Sequence, residues 1–142
     1  MSLAPLFAAP PAVIWHAAAA LAAFAVGIVQ IVGAKGTTAH RLLGWTWVLA
    51  MVCAAGSSFF INEMRWVGPF GPIHLLSVLT LVNLPIAVRA ARRGQVAAHA
   101  KAMRTLFLFA LLLAGAFTLM PGRLMGEVVF GWPSEWSDGR QK

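Results

Sequence analysis

The sequence has 142 residues, of which 60% are hydrophobic and only 11% are charged. A soluble domain covers its surface with polar groups, and a typical chain carries about 25% charged residues. The composition therefore excludes a soluble globular domain and predicts a single integral membrane domain over residues 1–142. The net charge of +7 does not indicate nucleic-acid binding, because the basic residues lie in the connections between apolar segments.

Several apolar segments are long enough to be transmembrane helices, since about 20 apolar residues cross the ~30 Å hydrocarbon core of a bilayer. Turns that contain Gly and Pro separate these segments, and the C-terminal tail at 121–142 is predicted to lie outside the membrane. The expected fold is an all-α, four-helix transmembrane bundle. Its helices are predicted at residues 11–34, 42–61, 73–90 and 103–119.

The distribution of charge orients this predicted bundle. The first and third connections carry seven of the eleven basic residues and no acid, whereas all four acids lie in the second connection or the C-terminal tail. Because cytoplasmic connections carry the excess of Lys and Arg, both termini are predicted to be outside. The expected location is the cytoplasmic membrane of a bacterium, with the N- and C-termini in the periplasm.

Four histidines recur in two similar halves of the chain. His16 and His40 are 24 residues apart, and His74 and His99 are 25 residues apart. Each half has a His, an apolar helix, a basic turn with Gly and a second His, which predicts two parallel helical-hairpin repeats. His16 and His74 would then lie near the outer face, and His40 and His99 would lie about 25 Å away at the inner face.

Two imidazoles at the same membrane level can ligate the iron of one b-type haem, and the chain is predicted to have such a pair at two levels. An ionisable group inside a bilayer is costly, but a neutral imidazole can bind iron while its second nitrogen donates to a carbonyl or hydroxyl. The pairs His16–His74 and His40–His99 are therefore the predicted metal ligands of one or two haem b groups. Lys and Arg residues near these histidines have two possible roles: they could bind the haem propionates, or they could only set the membrane topology from the interface. The predicted partners of the haem propionates are Arg41, Lys101 and Arg104 inside, and Arg65 and Arg123 outside.

Four short strings resemble a family of uncharacterised bacterial four-helix membrane proteins. They are HRLLGW (40–45), SSFFI (57–61), PIHLLS (72–77) and PGR (121–123). The histidine layout more distantly resembles the two-haem cytochrome b561 group, whose histidines on alternate helices ligate haem b near each membrane face. That resemblance implies the same two pairs, His16 with His74 and His40 with His99. The chain departs from the group in having four predicted helices, with His40 and His99 just outside them.

Two classes of function are consistent with these features. The first is a b-type cytochrome that carries electrons across or within the cytoplasmic membrane, with a quinone or a redox protein as partner. The second is a non-redox protein: an accessory or assembly subunit of a membrane complex, or a small permease. Both classes allow a homodimer or a larger membrane complex, and both have the lipid bilayer as their surroundings. Pro85 predicts a kink in the third helix, which is either a packing feature or the wall of a quinone pocket.

Overall fold

The computed structural model describes residues 2–61 and 71–132. Within these residues the chain forms six helices. The helices are α1 (Ala4–Phe7), α2 (Pro11–Val32), α3 (Thr38–Ser58), α4 (Pro72–Arg92), α5 (Val96–Thr118) and α6 (Leu124–Phe130).

Three helices of the described chain are long and apolar enough to cross a membrane, namely α2, α5 and Ile73–Arg92 of α4. The helix α3 has 21 residues, but His40 and Arg41 in its first turn and two serines in its last turn lower its hydropathy. The predicted four-helix transmembrane bundle is therefore wrong, and only its all-helical character is confirmed. The predicted pair of parallel hairpin repeats depended on four crossings, so it is wrong as well, whereas the orientation of the termini stays a prediction.

Two helices begin earlier than predicted, because polar or basic residues in their first two turns interrupt the apolar run from which hydropathy reads the helix. The predicted starts are residues 42 and 103, whereas α3 begins at Thr38 and α5 at Val96. Thr37 caps α3, since its hydroxyl accepts a hydrogen bond from the backbone N–H of His40 at 3.0 Å. His40 and His99 therefore lie in the first turns of helices rather than outside them.

The helices α2, α3 and α5 meet at a glycine. The middle of α5, Phe107–Leu113, is wound as a π-helix, and Phe107 stacks on Phe24 of α2 with ring centroids 5.7 Å apart. A Cβ atom at Gly27 would lie 2.5 Å from Phe107 Cε2 and 2.9 Å from Trp47 Nε1. Only a residue without a side chain allows this close approach of the three helices.

The main hydrophobic core lies around this contact. It joins side chains of four helices, and its largest members are Trp47, Met51, Leu84 and Phe107. Large apolar side chains on the outward faces of α2, α4 and α5, such as Leu21, are exposed. Exposed apolar faces of this kind are expected where helices contact lipid.

A second, smaller apolar cluster lies where both terminal segments of the described chain pack together. It joins Ala9 and Val13 to Ile61 and Leu124, and the backbone N–H of Ser2 donates to the carbonyl of Val128 at 3.1 Å. Part of the predicted C-terminal tail thus forms α6, which packs on α1. The rest of the tail, residues 133–142, lies outside the described residues.

Candidate functional site

The α2–α3 and α4–α5 connections lie at the same end of the molecule. The Arg92 guanidinium in the last turn of α4 lies 5.5 Å from the Trp45 ring centroid on α3, and His99 on α5 is close enough to lower the pKa of His40. Seven of the eleven basic residues lie here, and the sequences of α2 to α5 contain no Asp or Glu. We call this region, residues 33–45 and 89–104, the basic end.

His40 lies in the first turn of α3 at the basic end, outside the three candidate spans. Burial lowers its pKa from the ordinary value, and the positive charges of Lys35 and His99 lower it further. Its backbone carbonyl accepts from Gln30 Nε2 at 2.8 Å, which ties α3 to the end of α2. Its Nδ1 atom is buried and has no hydrogen-bond partner within the described chain. Because an unsatisfied buried polar atom costs about 1–3 kcal/mol, this nitrogen is a candidate ligand atom.

His99 is held by a backbone carbonyl. Its Nδ1 atom lies 3.0 Å from the carbonyl oxygen of Ala87 on α4. A carbonyl only accepts, so Nδ1 carries the proton and Nε2 keeps a free lone pair in the neutral ring. Metal-bound histidines have this arrangement, because the second-nitrogen bond fixes the orientation of the ring. His16 makes a similar contact through Nδ1, which lies 2.8 Å from the Ala54 carbonyl oxygen and 3.4 Å from the Ser57 hydroxyl.

His74 is held in the opposite tautomer. Its ring is buried, and Nδ1 accepts a hydrogen bond from the backbone N–H of Gly71 at 3.1 Å. In the neutral ring Nε2 therefore carries the proton and offers no lone pair to a metal. Both members of the His40–His99 pair therefore fit the ligand role, whereas His74 of the other pair does not fit it in this tautomer.

The predicted propionate partners differ between the two ends. Arg41, Lys101 and Arg104 are exposed at the basic end, where no carboxylate of α2 to α5 competes for them. At the other end, the Arg123 guanidinium lies 4.9 Å from the Phe117 ring centroid, and Arg65 lies outside the described residues. Their role towards a haem stays a prediction.

Two further observations bear on the ligand chemistry. Among residues 2–61 and 71–132, no group of three or more His, Cys, Asp or Glu side chains could hold a metal ion. A bis-histidine haem needs only two protein ligands, so this finding does not test it. Small side chains lie beside a histidine of each pair: Ala97 and Ala98 before His99 are exposed, and after His16 Ala17 is buried and Ala18 is exposed.

A groove lies between α3 and α4, and no motif in the sequence indicates it. The groove has a volume of about 660 Å³ and reaches the basic end, where three arginines line it. These are Arg89, Arg92 and Arg93, three of the basic residues from which the membrane orientation is predicted. Their i, i+3, i+4 spacing places them on one helix face, and this spacing is the sequence signal for the basic lining of the groove. Pro85 also lines the groove, and α4 continues past it to Arg92.

Long apolar helices with exposed apolar faces and a basic end define a helical membrane protein. Residues 13–130 match the model of a family described as Predicted membrane protein (DUF2306). The chain belongs to this family, which confirms the predicted membership of an uncharacterised membrane family. The resemblance to the cytochrome b561 group is not shown by this match. No curated protein and no solved structure matches the chain.

Proposed function

We propose that the protein is a b-type membrane cytochrome that holds one haem between His40 and His99 at the basic end. The observation that supports this function best is the hydrogen bonding of the two imidazoles, which leaves each ring a nitrogen for iron. His40 has a buried Nδ1 atom without a partner in the described chain, and His99 donates from Nδ1 to the Ala87 carbonyl. Two imidazoles with free lone pairs would be suitable protein ligands for the iron of a haem b.

Residues around the pair would hold and tune the cofactor. The Ala87 carbonyl fixes the ring of His99, while Thr37 and Gln30 fix the backbone at His40 through hydrogen bonds of 3.0 and 2.8 Å. Exposed cations at the basic end offer partners for the propionates. A bound haem supplies one-electron chemistry, and the protein contributes orientation and electrostatics.

The proposed setting is the cytoplasmic membrane of a bacterium, with the basic end towards the cytoplasm. Cytoplasmic ends of membrane proteins carry the excess of Lys and Arg, and this end has seven such residues. A haem at this level would exchange electrons with a quinone or a redox protein near the cytoplasmic face.

A second haem between His16 and His74 is not part of this proposal. To ligate through Nε2, His74 would have to move the proton to Nδ1 and lose the bond from the Gly71 N–H, which is 3.1 Å long. The residues at that end therefore do not fit a haem as they are arranged.

The reduced-minus-oxidised absorption spectrum of the purified full chain tests the function. The protein would be produced in cells supplied with a haem precursor, and haem and iron would be counted per polypeptide. We expect the bands of a six-coordinate b-type haem and one haem per chain. His40→Ala and His99→Ala should remove the bands, whereas His16→Ala is the matched control and should retain them.

Each alternative has a distinct result. A colourless, folded protein from haem-supplied cells would contradict the cytochrome and favour a non-redox accessory or assembly subunit, or a small permease. Full haem content in His40→Ala would also contradict the assignment. Loss of half the haem in His16→Ala would overturn the limit to one haem and restore the two-haem prediction.

A further inference from the structure

The groove between α3 and α4 is apolar along its length. Leu84 is buried at its floor, while Trp45 and Val52 of α3 and Pro85 of α4 are exposed along its sides. A surface of this chemistry accommodates a hydrocarbon chain rather than water.

The length of the groove along α4 is close to the thickness of one leaflet of the bilayer. From Leu81 to Arg92 the helix α4 rises about 16 Å at 1.5 Å per residue. This is roughly half of the ~30 Å hydrocarbon core of a bilayer. An acyl chain that follows the groove would therefore bring its headgroup to the arginines at the basic end.

The arginines supply positive charge, and no acidic residue of α2 to α5 offers them a counter-ion. Arg89, Arg92 and Arg93 line the groove, and α3 and α4 contain no Asp or Glu. Arg92 lies 5.5 Å from the Trp45 ring centroid, a cation–π contact that orients its guanidinium at the groove. Guanidinium groups bind phosphate oxygens in bidentate geometry.

We propose that this groove binds an anionic phospholipid, with one acyl chain along α3 and α4 and the phosphate on the three arginines. Charge complementarity selects this occupant. A quinone headgroup is neutral and leaves the arginines without a counter-charge. A second copy of the chain, related by a twofold axis along the membrane normal, would bring an identical set of cations to the same level and be repelled.

Spin-labelled lipids test the proposal, which does not depend on the haem. The full chain would be reconstituted in phosphatidylcholine vesicles, and electron spin resonance would measure the immobilised fraction of labelled phosphatidylglycerol and of labelled phosphatidylcholine. We expect a higher association constant for phosphatidylglycerol. Arg92→Gln should lower this preference about fivefold, the factor equivalent to about 1 kcal/mol per basic residue near a membrane surface.

Two variants separate the groove from general surface charge. Arg104→Gln removes the same charge from an exposed position of α5 that is not among the residues lining the groove, and it should leave the preference nearly unchanged. Val52→Trp fills an exposed wall of the groove and keeps the arginines, and it should abolish the preference. An equal loss in Arg104→Gln, or an unchanged preference in Val52→Trp, would overturn the proposal.

Competition distinguishes the other occupants. Soluble glycerol phosphate should fail to displace the labelled phosphatidylglycerol, because it has no acyl chain. Displacement by a short-chain quinone would contradict an anionic ligand. Cys53 is exposed beside Val52, so efficient disulfide cross-linking through it in vesicles would show that a second copy covers the groove.

Discussion

Replacement of Gly27 by alanine tests the packing of α2 against α3 and α5. The added methyl carbon would lie 2.5 and 2.6 Å from two ring atoms of Phe107 and 2.9 Å from Trp47 Nε1. Carbon atoms in favourable contact are about 3.5–4.0 Å apart, so the helices must separate by about 1 Å. Phe107 is held in place by its stacking on Phe24 at 5.7 Å. Overpacking of this kind costs about 1–3 kcal/mol.

Matched controls come from two helical glycines. At Gly56 and Gly115 an added Cβ meets no other atom within 4 Å, and alanine there should stabilise the helix by about 0.5–1 kcal/mol. Gly27 is also helical and gains the same propensity, so the Gly27→Ala protein is expected to be less stable than either control by the overpacking cost, about 1–3 kcal/mol.

The free energy of unfolding would be measured in mixed micelles with increasing SDS, with tryptophan fluorescence as the signal. The comparison of three Gly→Ala variants removes the general effect of alanine on helix stability. A Gly27→Ala protein as stable as Gly115→Ala would refute the close approach of the three helices at this residue.

Three further predictions concern polar contacts. The buried hydroxyls of Ser58 and Ser77 lie 2.6 Å apart and link α3 to α4, so a double-mutant cycle with alanine should give a coupling of about 0.6–1.7 kcal/mol; additive effects would contradict the link. Thr37→Ala removes the N-cap of α3 and should lower the free energy of unfolding by about 0.5–2 kcal/mol, and Thr37→Ser should restore it. The Lys35 ammonium donates to three carbonyls at the end of α2 at 2.6–2.8 Å, so Lys35→Met should speed amide hydrogen exchange near that end. Unchanged exchange rates would disprove this capping role.

Hydropathy predicts helices well where a long run of residues is uniformly apolar. The predicted bounds of α2 and α4 lie within two residues of the observed Pro11–Val32 and Pro72–Arg92. The same reasoning misplaces the start of α5, since its first turns are polar and basic yet helical from Val96. It also wrongly predicts that α3 crosses the membrane, because the apolar run in the middle of the helix is flanked within the helix by polar residues at both ends.

The candidate site, too, is only partly predictable from the sequence. Spacing in the sequence identifies four histidines and assigns them to two equivalent pairs. The structure separates the pairs, because the Gly71 N–H donates to Nδ1 of His74, whereas Nδ1 of His99 lies against the Ala87 carbonyl. Gly71 is three residues from its histidine and Ala87 is twelve from His99, so no common sequence pattern reports which ring nitrogen is free.

The sequence by itself determines that this protein is a helical membrane protein, that most of its basic residues flank two connections, and that its histidines lie near helix ends. These properties depend on the order and composition of residues along one chain segment. Tertiary structure alone decides which helices are close enough to leave Gly27 no room for a side chain, which imidazole nitrogen keeps a lone pair, and that arginines of α4 line a groove with Trp45 of α3. The contact at Gly27, the groove and the bond of His99 to Ala87 depend on atoms from different helices, because packing decides which helix surfaces face each other, whereas His74 is held by the cap of its own helix.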